Sequence, residues 1–400
     1  MNGIDRRGRR SALALLQAAE RLGPVPGLGE LRRRRRRRSL VRGGVAAAAV
    51  VVAAALVGQA MPALRSPVTR PPGPDISTTP TTRAWPGVPG LDPRVRDAVA
   101  TGPACGCPGD VAAGSGGVWV LRDARGGERD RLLRVDPGTD EVVAGIPVRE
   151  SASYVRSGDD GTAWVVRLEP SPGDEELLQV DPAGGSIVRA IPLPAIETGG
   201  RVEAMLVAGG AVWIADSAGR LLRVDTTSGQ VRTALPSGRD RRIVGLAAAG
   251  GGIWVASRTG LQRLRPRDGR VTLQVSDPAL QRAIPADGLA AGAGALWVAG
   301  GGGEASDRLV RVDPVSGWVV ASLELRRPGL EGQRPAVVAA DERTVVVRRG
   351  TGLFLVAGDG SRVRGYLELP GRDGGVAVGA GAVWATDPDR GRLLRIDPGG

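Results

Sequence analysis

The sequence contains no histidine and no lysine, and aromatic residues make up only 3% of its 400 residues. Without histidine, no side chain titrates near neutral pH at its ordinary pKa. Catalytic triads with an imidazole base and metal sites with imidazole ligands are therefore excluded. We expect no catalytic residue, no bound metal and no cofactor.

The net charge of +12 is concentrated at the N-terminus. Residues 1–42 hold thirteen arginines, including the unbroken run Arg32 to Arg38, against three acidic residues. Because the rest of the chain is close to neutral, arguments from a basic composition apply to this segment alone. No nucleic-acid-reading motif and no interleaved aromatic residues accompany the run, so we expect no nucleic-acid partner.

An apolar stretch, "GGVAAAAVVVAAALVGQAMPAL", follows the arginines at residues 43–64. As a helix it would be about 33 Å long, enough to cross a hydrocarbon core of about 30 Å. The positive-inside rule then places residues 1–42 in the cytoplasm as an Arg-rich tail and everything after residue 65 outside. Residues 65–90 are rich in proline and threonine and are predicted to form an extended linker.

Two alternatives to a single-pass anchor remain open for this stretch. One is a signal peptide cleaved after small residues such as Gly58 or Ala60, and "RRSLVR" at 37–42 resembles a twin-arginine export motif. The other is a buried helix of a soluble protein. The arginine run directly before the stretch favours the anchor.

From residue 91 onward one unit recurs seven times. Its centre is a tryptophan among small and aliphatic residues, as in "GAVWIA", and the copy "RTVVVR" has Val346 in the tryptophan position. A segment of the type "LLRVDP" follows each centre, in degenerate form at Arg265 and at 353–358. The repeated tryptophans are Trp119, Trp164, Trp213, Trp254, Trp297 and Trp384.

Each unit predicts four short antiparallel strands. Its segments are rich in β-branched and aromatic residues, which favour strands. Asp-Pro opens a tight turn, and a glycine four residues after the Asp, as at Gly185, Gly229 and Gly317, supplies a left-handed residue. A period of about 40–50 residues with four strands indicates propeller blades. The predicted fold class is therefore all-β, a seven-bladed β-propeller over 91–400 with the tryptophans packed between blades.

The last unit lacks a fourth strand, and a candidate for it precedes the first unit. The segment "LDPRVRDAVATG" at 91–102 contains Asp92 and Pro93, one repeat length before Asp136. We expect residues 93–101 to pair with the last unit and close the ring, which removes an exposed edge. A helical turn is the alternative for this segment.

The chain's two cysteines, Cys105 and Cys107, lie in "ACGCPG". A disulfide between them fits an oxidising compartment, although the short spacing strains it. A weak metal site and pairing between chains are the other two interpretations.

The units "GAVWIAD…GRLLRVD…SGQV" and "GALWVAG…RLVRVDPVSGWVVASL" resemble the YVTN/streptogramin-lyase-like group of seven-bladed bacterial propellers. The resemblance covers about 91–400. That group includes enzymes, assembly factors and sensor ectodomains tethered by one transmembrane helix. The resemblance therefore implies the fold but does not select one function. Its lyase members look dependent on a catalytic histidine with a divalent metal, and this chain has no histidine.

The sequence thus predicts a membrane-anchored, extracytoplasmic propeller that binds or senses an envelope ligand or a protein partner without catalysis. One alternative is a carboxylate- or metal-dependent lyase or hydrolase, with Asp216 and Asp387 as candidate residues; turn or solvent-facing roles are the other interpretation of these two. A second alternative is an envelope assembly scaffold with a broad apolar patch. Neither the ligand nor the oligomeric state follows from the sequence.

Overall fold

The computed structural model describes residues 94–101, 109–122, 131–148, 152–168, 174–183, 185–196, 201–238, 241–258, 260–275, 277, 280, 286–300, 308–325, 335–370 and 374–398. All of them belong to the compact unit Ala84–Gly400. The expected tail 1–42, membrane helix 43–64 and linker 65–90 lie outside the described residues, as do both cysteines. No helix in the part of the chain that the structure describes has the length and hydropathy of a membrane span.

The described strands form seven four-stranded antiparallel sheets, here called blades 1 to 7. Blade 1 contains β2 (Val111–Gly114), β3 (Gly117–Arg122), β4 (Arg131–Asp136) and β5 (Glu141–Pro147). Blade 2 contains β6 (Ala152–Ser157), β7 (Ala163–Arg167), β8 (Glu176–Asp181) and β9 (Ser186–Pro192). Blade 3 contains β10 (Val202–Ala208), β11 (Ala211–Asp216), β12 (Leu221–Asp225) and β13 (Val231–Leu235).

The remaining blades follow in chain order. Blade 4 contains β14 (Ile243–Ala249), β15 (Gly252–Ser257), β16 (Gly260–Leu264) and β17 (Val271–Val275). Blade 5 contains β18 (Ala286–Gly292), β19 (Ala295–Gly300), β20 (Arg308–Val312) and β21 (Val319–Glu324). Blade 6 contains β22 (Pro335–Ala340), β23 (Val345–Arg349), β24 (Gly352–Val356) and β25 (Val363–Glu368). Blade 7 contains β26 (Val376–Gly379), β27 (Ala382–Asp387) and β28 (Arg392–Asp397), with a short 3₁₀ helix at Pro388–Arg390.

The blades are arranged in a closed ring. The first strand of each blade contacts the first strands of both neighbouring blades, and blade 7 meets blade 1 through β26 and β2. Seven clusters of buried apolar side chains lie in the described part of the chain, one at each interface between neighbours. Stacking therefore buries faces that a single blade would leave exposed. The chain is a seven-bladed β-propeller, as the repeat predicts.

The fourth strand of blade 7 is β1 (Arg94–Ala100), from the other end of the repeat region. It pairs antiparallel with β28, with Arg94 opposite Asp397 and Ala100 opposite Arg392. The Thr101 backbone N–H and hydroxyl both donate to the Gly391 carbonyl oxygen, at 2.9 and 2.8 Å. The predicted closing strand is confirmed, and the helical alternative for this segment is wrong.

The ring has two distinct faces. The first strands of all blades run in the same direction, since the ends of neighbouring first strands abut, as Gly114 does with Ser157 and Gly292 with Ala340. The Thr226 N–H in the turn after β12 donates to the Gly210 carbonyl in the turn after β10, at 3.1 Å. Turns after the first and third strands therefore share one face, the turn face. The opposite face, where first strands begin, is the cavity face.

Candidate functional site

The six repeated tryptophans occupy equivalent positions in the second strands of their blades. Each indole is at most 2% exposed, and each lies in one of the interface clusters. In blade 6, Val346 takes this place, with Ala339 opposite it on β22 just as Ala290 lies opposite Trp297 on β18. These residues build the scaffold around the axis.

An arginine on the third strand covers the tryptophan in four blades. The guanidinium carbon lies 5.5–5.9 Å from the centre of the indole ring, a cation–π distance. The four pairs are Arg134 with Trp119, Arg223 with Trp213, Arg311 with Trp297, and Arg395 with Trp384. This is the arginine of the "LLRVDP" segment, and the sequence pattern alone did not predict its role.

Three of these arginines also bond to the next blade. Each donates to the carbonyl oxygen of the proline in the neighbouring turn: Arg134 to Pro182 at 2.7 Å, Arg223 to Pro266 at 3.0 Å and Arg395 to Pro137 at 2.7 Å. A charged donor satisfies a carbonyl with a strong hydrogen bond. The repeated arginine thus joins its own tryptophan to the turn of the following blade.

The bond at the seam between blades 7 and 1 has an added carboxylate. Asp140 occupies the turn position that glycine fills elsewhere and has φ of 59°, a conformation that aspartate tolerates better than most residues. Its two carboxylate oxygens accept from Arg395 Nη1, at 2.8 and 2.9 Å. An acidic residue in a left-handed turn position therefore reinforces the seam of the ring.

We predict that this seam pair is energetically coupled. Asp140→Asn keeps a residue that tolerates the left-handed turn, and Arg395→Met keeps most of the apolar stem over Trp384. Because both side chains are about four-fifths buried, we expect a coupling free energy of about 1–2 kcal/mol in a double-mutant cycle. Urea unfolding of the four proteins measures it. Arg232→Met, on the exposed outer strand of blade 3, is the control, and a coupling no larger than that of the pair Arg232→Met with Asp140→Asn would contradict the prediction.

The two aspartates proposed as catalytic candidates are separated onto blades 3 and 7. Asp216 caps the turn after β11: its Oδ1 accepts from the Ala218 and Arg220 N–H groups, and its Oδ2 accepts from Arg220 Nε at 2.8 Å. Asp387 is 1% exposed, and its Oδ2 lies 3.4 Å from Arg390 Nη1. Within the described residues, no three Cys, Asp or Glu side chains are close enough to share a metal ion.

The first strands of all seven blades surround a central cavity of about 660 Å³. Blades 4 to 7 contribute small and aliphatic residues to its wall, such as Gly245, Ala247, Ala290, Val338 and Ala377. These segments are the Gly- and Ala-rich stretches of the repeat. Because their side chains are short, they leave room along the axis.

The wall from blades 1 to 3 adds the charged side chains of Asp110, Arg156 and Glu203. Asp110, directly before β2, accepts at Oδ2 from Arg156 Nη1 at 2.6 Å and from the Val155 N–H at 2.9 Å. Arg156 also donates from Nε to the Met205 carbonyl at 3.1 Å. The Arg156 and Asp110 side chains are 31% and 20% exposed, so solvent reaches the pair. Three consecutive blades are therefore joined by one arginine at the cavity wall.

A second carboxylate lies beside this pair. Glu203 on β10 accepts at Oε1 from Arg201 Nε at 2.7 Å and at Oε2 from Arg242 Nη2 at 3.3 Å. The hydrogen bond to Glu203, followed by its charge, raises the pKa of Arg201. Asp110, Arg156 and Glu203 line the cavity, and Arg201 and Arg242 bind Glu203 beside it. We call these five residues the charged wall. Most of them lie where first strands begin, so the charged wall lies towards the cavity face.

Tyr154 connects the charged wall to blade 3. Its hydroxyl donates to the Glu203 carbonyl oxygen at 3.0 Å, and the Arg156 guanidinium lies 5.5 Å from the ring centre. Burial raises the pKa of Tyr154 above its ordinary value, and the charge of Asp110 raises it further, while Arg156 opposes them. The phenol is therefore held in its neutral, hydrogen-bonding form.

The raised pKa of Tyr154 predicts how the stability of the folded protein changes with pH. Because folding raises the pKa of Tyr154, the stability that this group contributes is full below the unfolded pKa of about 10 and is lost as pH rises through the folded pKa. We expect Asp110→Asn to move the pKa of Tyr154 back towards 10, since a raising charge is removed. Ultraviolet difference absorbance, assigned with Tyr154→Phe, follows the titration. Asp389→Asn, at an exposed position in the 3₁₀ helix of blade 7, should leave the pKa of Tyr154 unchanged. An equal shift in both variants would show that Asp110 does not act on Tyr154 through its nearby charge.

Comparisons with known proteins agree with this architecture. No protein-family model matches the sequence, and no curated protein matches it. The β-propeller domain of Myceliophteria thermophila Cps50 (Swd1) is 12% identical, with a TM-score of 0.57 over 76% of this chain and 99% of that one. A chain from the crystal structure of the Mitotic Checkpoint Complex is 11% identical, with a TM-score of 0.56 over 79% of this chain and 98% of that one. At such identities the likeness establishes the fold alone.

Proposed function

We propose that this protein is a non-catalytic binding module in which a single-pass anchor, residues 43–64, holds the propeller outside the cell membrane. The observation that carries the binding role is the central cavity, which combines a charged wall with an apolar wall in one open space. Ligand sites are typically concave and mainly apolar, with a few converging polar groups. The cavity of about 660 Å³ is large enough for a small molecule or for one protruding segment of a protein partner.

The charged wall supports a binding role rather than a catalytic one. The carboxylate of Glu203 and one oxygen of Asp110 are already engaged by arginines or backbone N–H groups. A general base or nucleophile needs an activated, reachable group instead. The fold fits a binding role too, since one similar propeller comes from a structure of a protein complex. The repeat units further support a place in the YVTN/streptogramin-lyase-like group.

The anchor and the location are tested together on intact cells. A C-terminal tag should be digested by external protease while the recovered protein keeps Met1, because the arginine run retains the N-terminus inside. A protein that begins near Met61 would be a released propeller, and a protected tag would place the propeller inside. Either result overturns the anchored topology and leaves the cavity to be tested separately.

Photo-crosslinking tests the cavity itself. A photoreactive residue at Leu206, which lines the cavity, should form an adduct in intact cells, and one at Val188, on the exposed outer strand β9, should not form the same adduct. Arg156→Gln should abolish the Leu206 adduct because it removes the central cation of the charged wall. An adduct from Leu206 that is insensitive to Arg156→Gln in a folded protein, or no adduct, would contradict a ligand site here.

A further inference from the structure

The turn face carries an exposed apolar and basic surface that the central cavity does not involve. Val315 and Trp318, in the turn after β20 of blade 5, are 66% and 50% exposed. Val271 and Val320, on the adjoining outer strands, are also exposed. These four lie on adjoining blades, and Val315 is the most exposed large apolar side chain in the described residues; a second set, Val142, Val143, Ile187 and Val188, lies on blades 1 and 2.

Basic side chains lie directly beside this apolar surface. The turn after β16 of blade 4 presents Arg265, Arg267 and Arg270, all exposed, against one acidic residue, Asp268. The two turns are neighbours, because Arg263 Nη1 lies 3.4 Å from the Val315 carbonyl oxygen, to which it donates. We call Arg265, Arg267, Arg270, Val315 and Trp318 the blade 4–5 patch.

The corresponding turn of blade 1 differs in charge. In blade 1, across the ring from blades 4 and 5, the corresponding turn and the strand after it carry Asp136, Asp140 and Glu141. The turn of blade 1 is therefore acidic, whereas the turn of blade 4 is basic. An anionic surface would attract the turn of blade 4 and repel that of blade 1.

The chain enters the propeller on this same face. Arg94 lies opposite Asp397, at the end of β28 where the third strands of the other blades reach their turns. The predicted linker of residues 65–90 and the predicted apolar stretch 43–64 precede it in sequence. A linker of this composition reaches about 3.1 Å per residue when extended. A linker over residues 65–90 would therefore allow the turn face either to touch a bilayer or to stay clear of it.

We propose that the blade 4–5 patch docks on an anionic lipid bilayer surface. Tryptophan is enriched at membrane interfaces, where the ring lies at headgroup level, and arginines near an anionic surface each strengthen attachment about fivefold. Trp318 and Val315 would enter the interface while Arg267 and Arg270 contact phosphate groups. This inference goes beyond the proposed cavity and takes the proposed anchor as its starting point.

Tryptophan fluorescence of the full chain in vesicles provides the test. Trp85 lies outside the described residues and is replaced by Phe, which leaves Trp318 as the exposed tryptophan against six buried ones. In phosphatidylglycerol vesicles, acrylamide quenching of the accessible fraction should fall at least twofold relative to pure phosphatidylcholine vesicles. Raising salt to about 1 M, where the screening length is about 3 Å, should restore part of the quenching.

Matched variants separate docking from anchoring. Arg267→Gln with Arg270→Gln should restore quenching in phosphatidylglycerol vesicles, whereas Arg232→Gln, an exposed arginine of blade 3, should not. Trp318→Phe should remove the accessible fraction in both vesicle types. Protein that floats with the vesicles while Trp318 stays equally quenched in both lipids overturns the docking and leaves the anchor intact. Protein that does not float with either vesicle overturns both.

Discussion

Deleting residues 91–101 should destroy the cooperative folding of the propeller. The deletion removes β1 and its ladder with β28, together with the buried side chain of Val99 and the two bonds from Thr101 to Gly391. With about 1 kcal/mol for each lost hydrogen bond, the loss is comparable to the whole stability of an ordinary domain, about 5–15 kcal/mol. We expect the chain to be recovered unfolded or associated through the open edge of β28.

A control deletion makes this result specific. Removing eleven residues from the predicted linker, such as 68–78, should leave the urea midpoint of the propeller unchanged, because that deletion leaves every described strand in place. A peptide covering 92–101, added in trans, should restore a folded protein by pairing with β28. A deleted chain that unfolds at the original midpoint without the peptide would show that β1 does not hold the ring closed.

Trp213→Ala should strongly destabilise the propeller, although it changes a single side chain. Trp213 is fully buried between blades 3 and 4, its Nε1–H donates to the Ala208 carbonyl at 3.2 Å, and Arg223 covers its ring. Truncation leaves a cavity at the interface and removes the aromatic ring over which the Arg223 guanidinium lies. Losses of this kind cost about 3–5 kcal/mol, and urea unfolding of the variant measures the difference.

Trp318→Ala is the matched control for Trp213→Ala. Trp318 is half exposed, follows the turn after β20 and lies in none of the interface clusters. Substitutions at such surface positions usually change the unfolding free energy by less than about 0.5 kcal/mol. If the two variants lost equal stability, the interpretation of the repeated tryptophans as inter-blade packing would fail.

The repeat made most of the fold predictable. Tryptophan at a fixed strand position, Asp-Pro turns and glycine four residues later each have a local physical cause, and Gly185, Gly229 and Gly317 do have positive φ. The closing strand was predictable as well, because the last unit was one strand short. The turns and strands depend on neighbouring residues, and the closing strand follows from counting the strands of each unit, so a single sequence is enough to find them.

The charged wall was not predicted because its members come from four blades. Asp110, Arg156 and Glu203 meet only once blades 1 to 3 have packed together, and none of them belongs to the repeated motif. One signal was present nonetheless: the first strand of blade 2 reads "ASYVRS", where other blades have Gly- and Ala-rich segments such as "IVGLAAA". A departure from the repeat at an axial position therefore indicates a role beyond scaffold packing.

The pairing of β1 with β28 also fixes an order of events during synthesis. β1 is among the first residues of the repeat region to leave the ribosome, and β28, its partner, is the last strand of that region. Blades 1 to 6 can each complete their own sheet as they emerge, but blade 7 must wait for both ends of the chain. Pairing of such distant segments is intrinsically slow, and an unpaired edge remains exposed until it happens. The ring can therefore be completed only after the whole repeat region has been made, and Arg395 and Asp140 join its two ends at the seam.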